Sequence, residues 1–543
     1  MTKDRTINFR CVPKTSALFL DFLYNFPKVQ AFYSSPFALE QFKRDNASPS
    51  LFEGSHRGSL CDILQDQNRS LGAGSRTLAN LERLRENDCL AVVTGQQVGL
   101  FTGPAYTIYK ALTAVKLASH YACRGIQAVP IFWMATEDHD IAEVDHCEVV
   151  DGDSTLSLVR YEAVQEDLQK PVGKVIFSKT IEATVAQFLE ALPNSEFRQQ
   201  IAATLAAAYM PGNNFARAFG QVMAVLFSNF GLILIDPQDE RLKQLVKPIF
   251  ERVIANGRAC QARVVQRSNE LVAAGYHSQV LLEEDASLVF IEHEGRRKAL
   301  VRENGHFRVK GGDQTLSVDD LLLWSRQTPQ RLSPNVLLRP VVQDYILPTL
   351  TYVAGPSEIA YLAQAAPLYE LLDGRMPTIF PRYSFSVIEK KTAKLLERYQ
   401  LNFCDLFQGP EALMKIIIEK TLDQTLAQKF DQLEQEFDQK LTELTDPLRK
   451  VDPTLADALK TTQQKVQYQL SHLRTKFLHA QTRQNETLTK QIDRVLNLLY
   501  PQKSLQERHL SIFYFLSRYG LDFLAQLYEE IDLSDPDHQL LYI

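Results

Sequence analysis

The chain has 543 residues, of which 45% are hydrophobic and 23% charged, and its formal charge is -6. A single core stops growing near roughly 250 to 300 residues, so two or more domains are expected. The nearly balanced charge excludes a general nucleic-acid surface and a disordered acidic chain.

The opening stretch MTKDRTINFRCVPKTS lacks the apolar core of a secretion signal. No later segment offers about 20 uninterrupted apolar residues, so a cytoplasmic protein that does not enter the membrane is expected. Seven cysteines without a CxxC pair predict reduced thiols rather than disulfides or a thiolate zinc site. Residues 1–88 carry helical patterning, as in SRTLANLERLREN, where Leu78, Leu81 and Leu84 recur every third residue, and form a leading segment packed on the core.

From Cys89 the pattern changes to short apolar runs between helices. CLAVVTG (89–95), AVPIFWMA (128–135), GLILIDP (231–237) and LTYVAGP (350–356) are continuously apolar, as strands buried on both faces should be. PAYTIYKALTAVKLASHY (104–121) predicts a helix between the first two, with Ile108, Leu112 and Val115 on one face. Strand, helix, strand at this spacing predicts a parallel α/β sheet over 89–385. Stretches near 146–180 and 278–312, broken by Glu-Gly, Asn-Gly and Gly-Gly, predict β-rich insertions. From 386 to 500 the chain reads as a helical hairpin. Phe430, Leu433, Phe437, Leu441, Leu444 and Leu448 form one stripe, and Val466, Leu470, Leu473 and Phe477 another, with Pro447 and Pro453 between them. Such an arm cannot bury its whole stripe, which makes it a candidate dimer contact. Residues 501–543 form a segment returning to the core.

Ligands of open α/β sheets bind beyond the carboxyl ends of the strands. The first strand end, TGQQVGLFTGP, supplies Thr94, Gln96 and Gln97, with Gly99 and Gly103 allowing close backbone approach. It is neither GxGxxG nor GxxxxGK[ST]. The second, TEDHD, supplies Glu137, Asp138, His139 and Asp140 as catalytic candidates, since imidazole and carboxylate within reach make a proton relay. A solvated turn with capping acids is the competing reading. A divalent metal is a third, although the spacing matches no ligand signature. LRPVVQDYILPTLTYVAGPSE offers Arg339, Gln343, Asp344, Gly355 and Glu358, and IFPRYSFS offers Arg382. Arginine suits a carboxylate or phosphate through two parallel hydrogen bonds, and a structural ion pair competes with that role.

Together TGQQVGLFTGP, PIFWMATEDHD and AGPSEIAYL, in this order along the whole chain and with the ending LYPQKSLQER, resemble the BshC family of bacillithiol biosynthesis. The resemblance implies a Rossmann-like core with inserted connecting segments and a C-terminal coiled coil forming a homodimer. It implies a ligase that joins the carboxyl group of L-cysteine to the amine of glucosaminyl-malate, the last step of bacillithiol assembly. An adenine nucleotide, ATP or ADP, is implied, with a site at Ser384, Phe385, Ser386 and Gln506. The open alternatives are a nucleotidyltransferase or a ligase acting on another amino acid and amine, and a coiled-coil scaffold that binds a metabolite without turnover.

Overall fold

The structure, a computed structural model, describes residues 5–37, 39, 52, 54–283, 285–372, 374–421, 424–483 and 486–543. The chain divides into two units, 1–386 with 507–540 and 387–506 with 541–543.

The first unit is built on a five-stranded, all-parallel sheet. Its strands are β1 (Leu90–Gln96), β2 (Ala128–Met134), β3 (Ile233–Ile235), β4 (Thr349–Ala354) and β5 (Thr378–Pro381). The spatial order is β5-β4-β1-β2-β3. The four apolar runs became β1 to β4 because every residue from Leu90 to Gly95, Ala128 to Met134 and Thr349 to Ala354 is buried, which an alternating strand could not satisfy. β5 was not anticipated: TIFP is short and carries a proline, and it holds an edge position through parallel pairing with β4. The chain passes outward from β1 to β3, then returns to the other side of β1 as β4. The order therefore reverses between β1 and β4, and the crevice at such a reversal is where open α/β sheets bind ligands. Three helices shape that end: α1 (Tyr106–Cys123), α2 (Arg339–Ile346) and α3 (Pro356–Leu371).

The leading segment contains helices Arg57–Ser70 and Ser75–Leu84, and the first of them covers the open edge of β3. Asn68 accepts from Leu234 N at 2.9 Å and donates to Leu234 O at 2.8 Å, while Gln67 does the same for Asp236 at 3.0 and 3.1 Å. Two amide side chains thus replace a sixth strand, leaving no unpaired edge there.

The insertions are antiparallel. His146–Val150 pairs with Leu156–Arg160, but the residues after Arg160 continue as short turns around Pro171 and Gly173 rather than as further strands. Strands Ala286–His293, Arg296–Glu303, His306–Val309 and Thr315–Leu316 follow one another, and Leu332–Pro334 completes a five-stranded sheet. Glu294-Gly295 and Asn304-Gly305 both have positive φ at each residue, the geometry that two-residue hairpins need.

In the second unit the hairpin arms are helices Gln424–Glu443 and Pro453–Arg483, joined through the short helix Thr445–Val451. Pro447 and Pro453 each sit in the first turn of a helix, where the missing N–H costs nothing. Residues 422–423 and 484–485 of the predicted arms lie outside the described residues. Phe430 meets Phe477 at 6.1 Å between ring centroids, Asp431 pairs with Arg474 at 3.2 Å and Asp438 accepts from Gln467 at 3.2 Å. Partner numbers fall on one arm as they rise on the other, so the arms are antiparallel. No described helix is long and apolar enough to cross a membrane.

Candidate functional site

A cavity of about 520 Å³ opens at the carboxyl ends of β1, β2 and β4. Its floor is set by Lys110, which α1 carries into the sheet end and which is 3% exposed. Lys110 Nζ donates to Gly95 O at 2.9 Å and Gln96 Oε1 at 2.8 Å, and forms an ion pair with Glu358. Three N–H donors meet three acceptors, one from the β1 backbone, one from a β1 side chain and one from α3. Burial pushes the Lys110 ammonium down from its ordinary range, against the pull of Glu358. Burial would raise Glu358, but Lys110 and hydrogen bonds from Gly355 N (2.7 Å) and Tyr352 Oη (2.8 Å) overcome it and hold the carboxylate low. Gly95 is required at this crossing, since a Cβ there would lie 2.7 Å from Trp133 O.

On the β2 flank, Gln97 Nε2 donates to Asp138 Oδ2 at 2.7 Å and to Glu143 Oε2 at 2.5 Å, so both amide hydrogens face carboxylates. Burial would raise Asp138, but hydrogen bonding from His139 and Gln97 and the charge of Arg297 hold it well below the usual carboxylate range. Arg297 arrives from the five-stranded insertion, stacked on Phe290 with its guanidinium 4.1 Å from the ring centroid. Its Nη1 lies 3.7 Å from Asp138 Oδ1 and 3.1 Å from His139 Nδ1. A guanidinium only donates, so in the contact with Arg297 it is Nδ1 that accepts.

On the β4 flank, Arg339 donates to Gln343 Oε1 at 2.9 Å, Tyr352 Oη at 3.2 Å and Tyr361 Oη at 3.4 Å. Among the described residues it has no carboxylate partner, so its charge is available to a ligand. Arg382 also reaches the crevice, but Glu507 neutralises it at 2.7 Å with both side chains nearly fully buried.

The remaining sequence candidates take other places. Glu137 lines the crevice and is ion-paired with buried Lys243, which also donates to Leu332 O at 2.8 Å. His139 and Asp140 do not line it. His139 is engaged with Arg297, and Asp140 caps the turn at Ile141–Glu143 through Ala142 N at 3.2 Å, the capping role that competed with catalysis. Thr94 ties β1 to β4 by donating to Val353 O at 3.0 Å. Gly99 and Gly103 close the turn after β1 rather than facing the cavity, with Gly99 N bonded to Gln97 O at 3.0 Å and Gly103 N to Leu100 O at 2.9 Å. Gln343 and Asp344 sit behind Arg339, fully buried, with Gln343 donating to Asp344 at 3.0 Å and Tyr369 donating to Asp344 at 2.5 Å.

Ser384, Phe385 and Ser386 are buried and already bonded. Ser384 donates to Glu507 at 2.8 Å, Phe385 N donates to Glu507 at 3.1 Å, and Ser384 and Ser386 bracket His538 at 2.7 and 2.9 Å. Burial holds His538 down at about 4, so one ring nitrogen donates to Ser384 and the other accepts from Ser386. Gln506, in the second unit, bonds Val387 N at 2.7 Å and Leu498 O at 2.7 Å. Side-chain or backbone hydrogen bonds are thus already present at Ser384, Phe385 and Ser386 in the first unit and, separately, at Gln506 in the second.

Lys110, Tyr106, Arg297, Tyr352, Tyr361 and Arg508 line the crevice without having been singled out in the sequence. Lys110 had a signal, a cation inside a run that is otherwise buried. Arg297 and Arg508 had none, because they reach the ends of β1 and β2 from segments more than 150 residues away in the chain.

A reversed parallel sheet with convergent polar side chains at the reversal defines a Rossmann-like protein with a polar crevice at its strand ends. The chain matches the family description "Bacillithiol biosynthesis BshC, N-terminal Rossmann-like domain" over residues 6–383 and its "C-terminal coiled-coil domain" over 385–543. It is 38% identical to a BshC protein of Koribacter versatilis over 532 residues, 98% of each chain. It is 35% identical to one of Salinibacter ruber over 96% of each chain, and 34% to one of Solibacter usitatus over 98% of each. The chain belongs to the BshC family.

Lys110→Met strands the Glu358 carboxylate in the core and should lower stability by about 3 to 5 kcal/mol. Adding Glu358→Gln should recover part of that loss in urea unfolding, and a double variant no more stable than Lys110→Met would remove the ion pair from the account. A second expectation concerns Asp344, which burial pushes up to about 6. Between the unfolded value near 3.9 and that native value, the folded chain holds a proton the unfolded chain has lost. Stability from this group is therefore present at low pH and declines as pH rises through 6. Asp344→Asn should gain on the wild type by roughly 2 to 3 kcal/mol between pH 4 and pH 7, from about 1.4 kcal/mol per unit. An equal difference at both pH values would contradict this.

Proposed function

We propose that this chain joins the carboxyl group of L-cysteine to the amine of glucosaminyl-malate, forming the amide that completes bacillithiol. The observation that carries this reading is a crevice that offers both signs of charge. Asp138 and Glu143, bridged by Gln97 and with Arg297 beside Asp138, stand on the β2 flank, and Arg339, without a carboxylate partner among the described residues, stands on the β4 flank. Such a crevice suits substrates that bring both an amine and carboxylates. The family supports the same reading, since the relatives above carry the name "Putative cysteine ligase BshC".

In this scheme Arg339 grips a substrate carboxylate, with Tyr352 and Tyr361 fixing the guanidinium in place. Asp138 and Glu143 orient the amine. Asp138, held as an anion far below neutral pH, is a weak proton acceptor and acts by position. The neutral amine nitrogen attacks the activated carboxyl carbon and the C–N bond forms; the C–O bond to the phosphate-derived leaving group breaks with its electron pair on that oxygen, and the proton shed by nitrogen passes to solvent water. A free carboxylate does not condense spontaneously in water, so activation by ATP belongs to the proposal. No step is assigned to Ser384, Phe385, Ser386 or Gln506.

Purified chain given L-cysteine, glucosaminyl-malate and ATP should form bacillithiol, read by mass spectrometry, and omission of ATP should abolish it. Cells lacking the chain should accumulate glucosaminyl-malate and lose bacillithiol. Arg339→Gln should lower kcat/KM about 100-fold, the worth of a charged hydrogen-bonded contact of about 2 to 3 kcal/mol. Normal bacillithiol in the deletion strain would sink the reading.

The helical hairpin is the proposed homodimer contact, because Leu433, Phe437, Leu444 and Leu473 are 37 to 53% exposed along its arms. Sedimentation of the full chain should give twice the chain mass. Phe437→Glu with Leu473→Glu should give the single-chain mass, and a wild type that sediments as one chain would refute the contact.

A further inference from the structure

Gln364 lies in the middle of α3 and is fully buried. An amide in that position costs about 1 to 3 kcal/mol unless its hydrogen bonds are made, so its partners matter. Its Oε1 accepts from Val280 N at 2.8 Å, and the two hydrogens of its Nε2 are shared among Val280 O at 2.9 Å, Ser278 Oγ at 2.8 Å and Ser268 Oγ at 2.9 Å. One side chain therefore pairs both backbone groups of Val280, as a neighbouring strand would.

The segment so held has no regular structure of its own, and it connects helix Gly257–Ala273 to the insertion that carries Arg297. Its next residue, Leu281, is 90% exposed, so burial does not hold the segment at this point. Gln279 and Val280 nevertheless line the crevice. The Gln279 carbonyl oxygen has a long contact with His277 at 3.3 Å, and among the described residues its amide nitrogen has no partner. α3 also presents Glu358 and Tyr361 to the same cavity. One helix thus carries both part of the cavity lining and the side chain that holds this wall.

We propose that Gln279 and Val280 form a substrate-contacting wall of the crevice, and that Gln364 is the positioning residue that fixes it. The wall offers an N–H donor beside an apolar surface, which fits an oxygen-bearing group such as a sugar hydroxyl or a carboxylate. This deepens the ligase reading above and rests on it.

Two variants separate wall from clamp. Gln279→Ala should raise KM for one of the two substrates about tenfold, the worth of one hydrogen bond of about 1.4 kcal/mol, with kcat within about twofold. Its Val280 amide should exchange with deuterium at the wild-type rate. Gln364→Leu should raise the same KM and also speed exchange at the Val280 amide by at least about tenfold. A uniformly structural role would lower kcat with stability and would not single out one substrate's KM. Gln279 is exposed, so its variant should fold, and wild-type KM for both substrates in Gln279→Ala overturns the wall even if Gln364→Leu fails to fold. Wild-type protein that forms no amide from these substrates would instead overturn the ligase reading.

Discussion

The ammonium of Lys110 joins α1 and the end of β1, neighbours in the chain, to the start of α3, which lies far along it. Its three donors are met by Gly95 O, Gln96 Oε1 and the Glu358 carboxylate. A buried charge is tolerated only when paired and fully hydrogen-bonded, so this arrangement permits little variation. It fixes the distance between β1 and β4 at the point where the sheet reverses. Gln96 cannot turn away while it accepts from Lys110, and Glu358 in turn holds Tyr352 and the Gly355 turn. Arg339, gripped by Tyr352 and Tyr361, inherits its place from the same knot.

Amide side chains recur as substitutes for backbone. Asn68 and Gln67 pair the edge of β3, and Gln364 pairs Val280. Gln97 uses its two N–H groups differently, to hold Asp138 and Glu143 together without neutralising them. A lysine there would add a second cation beside Asp138, which Arg297 already faces at 3.7 Å, whereas an amide brings hydrogen bonds to both carboxylates and no charge. Two adjacent glutamines at the end of β1 are thus explained by two jobs: Gln96 faces the lysine, and Gln97 faces the acids.

Much of the fold was readable because burial leaves a mark on composition. Strands covered on both faces are largely apolar without alternation, and β1, β2, β3 and β4 are; the hairpin turns Glu294-Gly295 and Asn304-Gly305 are written in glycine. β5 left no mark, since a four-residue edge strand with a proline looks like a loop. In the site, Gln96, Gln97, Asp138, Gly355, Glu358, Arg339 and Arg382 could be picked out because they stand directly after strands or begin helices at that end. His139 and Asp140 could be picked out on the same grounds, yet a one-residue step along the turn after β2 points them elsewhere.

The sequence by itself determined the parallel sheet, the antiparallel insertions, the helical hairpin and the strand ends where polar residues gather, because these follow from local periodicity and turn chemistry. Only the tertiary structure decided which charges remain available. Arg339 and Arg382 look alike in sequence, but Glu507, from the far end of the chain, neutralises Arg382, whereas among the described residues no carboxylate forms an ion pair with Arg339. Glu137 and Asp138 are neighbours, yet Lys243 takes the first while the second faces the crevice with Gln97 and Arg297. Charge compensation acts through space over a few ångströms, and nothing in local sequence encodes which distant partner folding will bring within that range.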